Sequence, residues 1–230
     1  FILFYIYCAA AAAEVVLTRM DSVKVMDSAS YLNLPWAGGF NNPQFSEIDL
    51  NGDGIKDLFV FDRSGNKISA FINNGTYNKS DYRYTPEYEA KFPELTDWVL
   101  LTDYNCDGKE DIFTSTGGGI KVYRNDYSLT TGLIFTKVQD PINSYYSETN
   151  LTNLYVSSVD MPAFADLDYD GDLDIITFST NGLNVEFHKN TSMEKYGLCD
   201  SLDFKLEDAC WGKFEENGLK KHFCLRESHS

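Results

Sequence analysis

Three nine-residue stretches repeat one arrangement of oxygen-bearing side chains: DLNGDGIKD at 49–57, DYNCDGKED at 103–111 and DLDYDGDLD at 166–174. Each reads D, x, D or N, x, D, G, x, x, D. Two carboxylates ~4 Å apart repel by roughly 4 kcal/mol at an effective dielectric near 20, so a tight bend of this composition is unfavourable until a cation neutralises it. Oxygen donors select a hard cation, and Ca²⁺ takes about six to eight of them in a flexible shell. Side chains at positions 1, 3, 5 and 9, with the carbonyl of position 7, supply most of such a shell if the chain turns sharply at position 6. Glycine stands there in every copy, as Gly54, Gly108 and Gly171, where a positive φ would strain any other residue.

The candidate ligands are therefore Asp49, Asn51, Asp53, the carbonyl of Ile55 and Asp57 in the first loop. In the second they are Asp103, Asn105, Asp107, the carbonyl of Lys109 and Asp111, and in the third Asp166, Asp168, Asp170, the carbonyl of Asp172 and Asp174. About three calcium ions are expected, and the third loop, richest in ligand carboxylates, is expected to bind tightest. An EF-hand or a dockerin loop requires a later acid at position 12, where this chain has Val60, Thr114 and Thr177. Mg²⁺ suits the pattern less, because it retains more of its water. The plain alternative is an acidic surface turn, since Asp, Asn and Gly are common turn residues. Three copies in matching surroundings weigh against it.

Those surroundings are strand-like. FSEIDL, WVLLTD and PAFADL lead into the loops, and DLFVFD, DIFTST and DIITFS follow them. After the turns RSGN, GGG and TNG come KISAFINN, IKVYRN and LNVEFHKN, so each unit closes a β-hairpin and ends in Asn73, Asn125 or Asn190. The spacing suits four-stranded propeller blades whose remaining strand comes from the linking segments 76–97 and 127–160. The expected fold is all-β: blades of antiparallel strands with calcium loops, a partial propeller of about three to four blades. Its repeat region is 14–230, with cores at 45–75, 99–126 and 162–190, and 199–230 starts a further blade with Phe204, Leu206, Trp211 and Phe214 as core residues.

A net charge of −16 argues against nucleic acid or an anionic membrane as partner. The opening FILFYIYCAAAAA, residues 1–13, is too short to span a bilayer and resembles the apolar and cleavage regions of a secretory signal. Secretion or cell-surface display is expected, with no stable membrane insertion once the leader is removed. Because position 1 is Phe, the sequence reads as a fragment that begins inside that signal. Cys8 belongs to the leader; Cys106, Cys199, Cys210 and Cys224 remain, and a small Cys199–Cys210 loop is one of several pairings the sequence allows.

Motifs for catalysis are scarce. There is no HExxH, GxSxG or phosphate-binding glycine loop, and Gly117–Gly119 reads as a tight turn. Of the histidines, His188, His222 and His229, the first is expected at the surface of a strand. Asp62, Glu110 and Asp172 are the acids left over for the rival reading, part of a secreted glycan-active enzyme, which needs two carboxylates at a set separation.

The stretches FSEIDLNGDGIKDLFVF, LLTDYNCDGKEDIFTS and FADLDYDGDLDIITF resemble the FG-GAP and VCBS-type repeats known from the propeller of integrin α subunits. The GAP tripeptide is absent, which places the resemblance nearer the VCBS-like branch. It implies structural calcium in loops joining neighbouring strands of one blade, and a non-catalytic extracellular module for adhesion or binding, with a protein or glycan ligand held on other loops. A closed propeller needs at least about four blades, so the chain is expected to be the N-terminal portion of a longer protein.

Overall fold

A computed structural model describes residues 20, 22–76, 81–213, 215–217 and 220–222. The leader, Cys8, Phe214, Cys224 and His229 lie outside these. The chain divides into two units, Phe1–Gly38 and Gly39–Ser230. In the first, the short strands β1 (Met26–Asp27) and β2 (Ser30–Tyr31) pair antiparallel, and the indole Nε1 of Trp36 donates to the carbonyl of Val23 at 2.6 Å.

The second unit holds three sheets built on one plan. In the first sheet β3 (Pro43–Ile48), β4 (Asp57–Asp62), β5 (Lys67–Asn73) and β6 (Tyr82–Tyr84) lie side by side in chain order, each antiparallel to the next. The second repeats this with β7 (Val99–Thr102), β8 (Asp111–Ser115), β9 (Ile120–Asn125) and β10 (Phe135–Gln139). In both, the outermost strand comes from a linking segment, as the spacing predicts.

The third sheet differs. The hairpin β11 (Asn143–Ser147) and β12 (Asn150–Asn153) precedes β13 (Ala163–Ala165), β14 (Asp174–Phe178) and β15 (Val185–Asn190), and a short helix, α1 (Ser192–Tyr196), follows. The fourth strand is β16 (Phe204–Asp208), antiparallel to β15, and β11 joins its far side in parallel, giving the order β12-β11-β16-β15-β14-β13. The sequence predicts a new blade from 199; instead, residues 204–208 complete the third sheet, with Phe204 paired to Asn190 and buried. Beyond them β17 (Glu215–Asn217) and β18 (Lys220–His222) form a separate hairpin.

Successive sheets share cores. Side chains alternate across a strand, and in β8 the neighbours Ile112 and Phe113 enter different clusters. Ile112 packs with Ile48, Leu50, Phe59 and Phe61 of the first repeat; Phe113 packs with Ile175 and Phe204 of the third. All five residues of β8 are buried. A strand covered on both faces identifies the second sheet as the middle of a stack, the arrangement of a partial β-propeller.

Candidate metal centres

Each acidic loop connects the first strand of its sheet to the second, and all three are held by the same hydrogen bonds. The carboxylate at position 1 accepts from the backbone N–H groups of positions 5 and 6: Asp49 from Asp53 and Gly54 (3.2 and 2.8 Å), Asp103 from Asp107 and Gly108 (3.2 and 2.8 Å), Asp166 from Asp170 and Gly171 (both 3.1 Å). The carboxylate at position 5 accepts from the N–H of position 7, from Ile55, Lys109 and Asp172 in turn. Position 6 has φ of +82°, +82° and +103° in Gly54, Gly108 and Gly171, as its glycine requires. Position 4 is left-handed as well, in Gly52 (+76°), Cys106 (+58°) and Tyr169 (+64°); the mixed residue types there hid that second turn.

Position 9 has a part the loop pattern alone did not reveal. Asp57, Asp111 and Asp174 are buried at the start of the second strand. One oxygen of each accepts from the N–H of position 2 (Leu50 2.9, Tyr104 3.1, Leu167 2.9 Å). The other accepts from the N–H of the asparagine that ends the third strand, Asn73, Asn125 or Asn190, each at 2.8 Å. Every unit is thus closed by a carboxylate joining loop, second strand and third strand. The sequence carried the signal, an Asn 16, 14 and 16 residues after that Asp. Burial raises the carboxyls against the pull of these donors: Asp57 moves up, Asp111 reaches about 7 and Asp174 about 6.

The third loop concentrates acid furthest. Ligand oxygens of Asp166, Asp168 and Asp174 all lie within 4.8 Å of one another, as do those of Asp168, Asp170 and Glu194, the last from α1. Glu194 was not foreseen, because no loop pattern extends to it. The N–H of Met193 donates to Asp172 Oδ2 at 2.9 Å, while Asp172 Oδ1 and Asp170 Oδ2 are buried without a hydrogen-bond donor. Burial lifts Asp172 to about 6. Lys189 contributes an ammonium that touches Asp168 and Glu194 and lies 3.6 Å from Asp170 Oδ2. Burial alone would raise Asp168; the ammonium outweighs it and holds this carboxyl below its ordinary range. All-oxygen donors, converging carboxylates and a buried Asp170 oxygen that accepts no hydrogen bond fit a hard divalent cation.

Neighbouring loops are tied together. Lys56 of the first contacts Glu110 of the second, and Tyr127 Oη donates to the carbonyl of Asn51 at 2.7 Å. A Cβ on Gly52 would come within 2.0 Å of that hydroxyl. A cleft of about 260 Å³ lies between these loops, lined by Asp49, Lys56, Glu110 and Tyr127 among others. Cys106 of the second loop is disulfide-bonded to Cys199, not Cys210.

The leftover acids have structural partners. Asp62 accepts from the N–H groups of Asn41, Asn42 and Ser64, Glu110 pairs with Lys56, and Asp172 anchors α1. His188 is fully buried rather than at the surface, with the Tyr146 ring of β11 edge-on to its imidazole at 5.3 Å between centroids. Its Nδ1 is 2.8 Å from Ser144 Oγ and its Nε2 3.2 Å from Glu186 Oε2. Ser144 is itself 0% exposed, so its hydroxyl meets no substrate in this arrangement. A cavity of about 540 Å³ is lined by Tyr145, Tyr146, Thr191, Glu194, Lys195 and Lys205 among others. No helix of the described residues is long and apolar enough to cross a membrane.

Residues 103–177 match the family model of the FG-GAP-like repeat, so the chain carries that repeat across its second and third loops. No curated protein and no solved structure gives a significant match. The first loop lies outside the matched span, yet its hydrogen bonds reproduce those of the other two, which extends the structural repeat to 49–57.

Proposed function

We propose that this chain is a calcium-stabilised, non-catalytic β-propeller module of an extracellular protein, binding a protein or glycan ligand on loops away from the ions. The observation that carries the reading is the identical bonding of three acidic loops at one place in three sheets. Ions at these loops would be held by the side chains at positions 1, 3, 5 and 9 and the carbonyl at position 7. Bound calcium would supply charge neutralisation, letting acids crowd where two strands must turn. Chemistry by a leftover carboxylate gains no support from the partners of Asp62, Glu110 and Asp172. The FG-GAP-like repeat and the Cys106–Cys199 disulfide favour an oxidising, extracytoplasmic setting.

Calorimetric titration of the chelator-treated chain with Ca²⁺, together with melting in calcium and in excess EDTA, tests the reading. At free calcium tenfold above a site's dissociation constant, linkage adds about 1.4 kcal/mol per site. Saturable heat and a lower melting temperature in EDTA are expected. An unchanged melting curve and no heat of binding would overturn the calcium reading.

A further inference from the structure

Lys189 stands between the third loop and α1. Its ammonium touches Asp168, the loop's position 3, and Glu194 of the helix, and lies 3.6 Å from Asp170, position 5. One cation carried by the protein therefore already engages two of the four side chains that an ion in this loop requires. The other sheets place no such group there. The corresponding residues, each preceding the strand-ending asparagine, are Ile72, which is buried among apolar side chains, and Arg124, whose Nε contacts Asp126 outside the loop at 2.7 Å. Lys109 of the second loop engages only one acid of its own loop, Asp107.

We propose that Lys189 is an internal competitor for calcium at the third loop, released from Asp168 when the ion binds and retained by Glu194. The inference rests on the calcium reading above and lowers one expectation drawn from charge count: this loop binds more weakly than its four carboxylates would give alone. The physical reason is simple. A divalent ion at Asp166, Asp168 and Asp174 is repelled by an ammonium on one of its own ligands, and Asp168 must exchange one cation for the other. Stranding a half-buried ammonium without a partner is costly; Glu194 removes that cost by offering a second carboxylate already in contact. Ion loading is thereby coupled to α1, whose Thr191 cap, Glu194 and Lys195 line the 540 Å³ cavity.

Calorimetric titration of the whole chain with Ca²⁺ tests this, with Asp166→Ala identifying the third-loop component. Lys189→Met should tighten that component about tenfold, as loss of a neighbouring positive charge at a partly solvated site predicts. Lys189→Gln, a polar counterpart, guards against a packing effect and should act in the same direction. Glu194→Gln should weaken the third site in the wild-type background and have far less effect once Lys189 is Met, since the carboxylate acts through the ammonium. A third-loop affinity unchanged within twofold in both Lys189 variants overturns the proposal. So does an equal loss from Glu194→Gln with and without Lys189, which would make Glu194 a direct ligand. If the wild-type chain takes up no calcium, the underlying reading falls and this inference with it.

Discussion

Asp111 illustrates how one carboxylate can serve loop and sheet together. It is fully buried, and both oxygens accept backbone N–H groups, from Tyr104 and from Asn125. Asp111→Ala would leave both donors buried and unpaired, costing about 2–4 kcal/mol even in EDTA, and more in calcium because a ligand is lost as well. Asp103→Ala, at the half-buried start of the same loop where water can reach the freed N–H groups of Asp107 and Gly108, should cost less in EDTA and abolish the calcium-dependent part of the stability. Chemical denaturation of both variants with and without calcium separates the two roles. Glycines offer a second contrast. Gly54→Ala meets open space and incurs only the left-handed backbone cost, about 1 kcal/mol. Gly52→Ala should cost more, because the added methyl also collides with Tyr127. The shared loop geometry and the left-handed Gly54, Gly108 and Gly171 were legible because three copies can be aligned. The left-handed position 4 was not, since Gly, Cys and Tyr share no type from which to read it.

Among elements, the first three strands of each sheet stood out because loop and turn chemistry brackets them on both sides. The fourth strands did not. Strands β6 and β10 are half-exposed edges with few apolar residues, and although Phe204 and Leu206 alternate with charged residues in β16, nothing local distinguishes a strand that closes the third sheet from one that opens another. The middle strand β8 carries the opposite signature, buried on both faces, because a sheet lies on either side of it. Phe113→Ala in β8 removes a ring that packs against Tyr104 at 6.1 Å and Phe164 at 4.4 Å between centroids. The resulting cavity should cost about 3–5 kcal/mol, read by equilibrium denaturation. Because the ring lies in the core shared by the second and third repeats, native-state hydrogen exchange should rise in both β8 and β14.

At the level of the whole molecule, long-range pairings decide what local patterns leave open. The Cys106–Cys199 bond spans 93 residues, and neither it nor the burial of His188 could be read from spacing, since each depends on a segment distant in sequence: Cys199 after α1, and Ser144 and Tyr146 of β11 against His188. Proton uptake is the other global property. In the metal-free chain burial raises Asp57, and carries Asp111 to about 7 and Asp172 and Asp174 to about 6, against about 3.9 for an unfolded Asp. A raised carboxyl favours the folded state when protonated. Its contribution is complete below pH ~4 and is lost as pH climbs through about 6 to 7. Calcium requires the carboxylate form and competes with those same protons. The melting temperature in EDTA should therefore fall between pH 5 and pH 8, whereas in millimolar calcium it should fall less. Calcium's stabilising effect, small at pH 5, then widens with pH as the buried acids at position 9 exchange their protons for the ion. Melting curves at pH 5, 6.5 and 8, with and without calcium, measure that gap. A separation that stays constant across the three values would mean that the buried acids at position 9 brace the strands without taking part in the metal site.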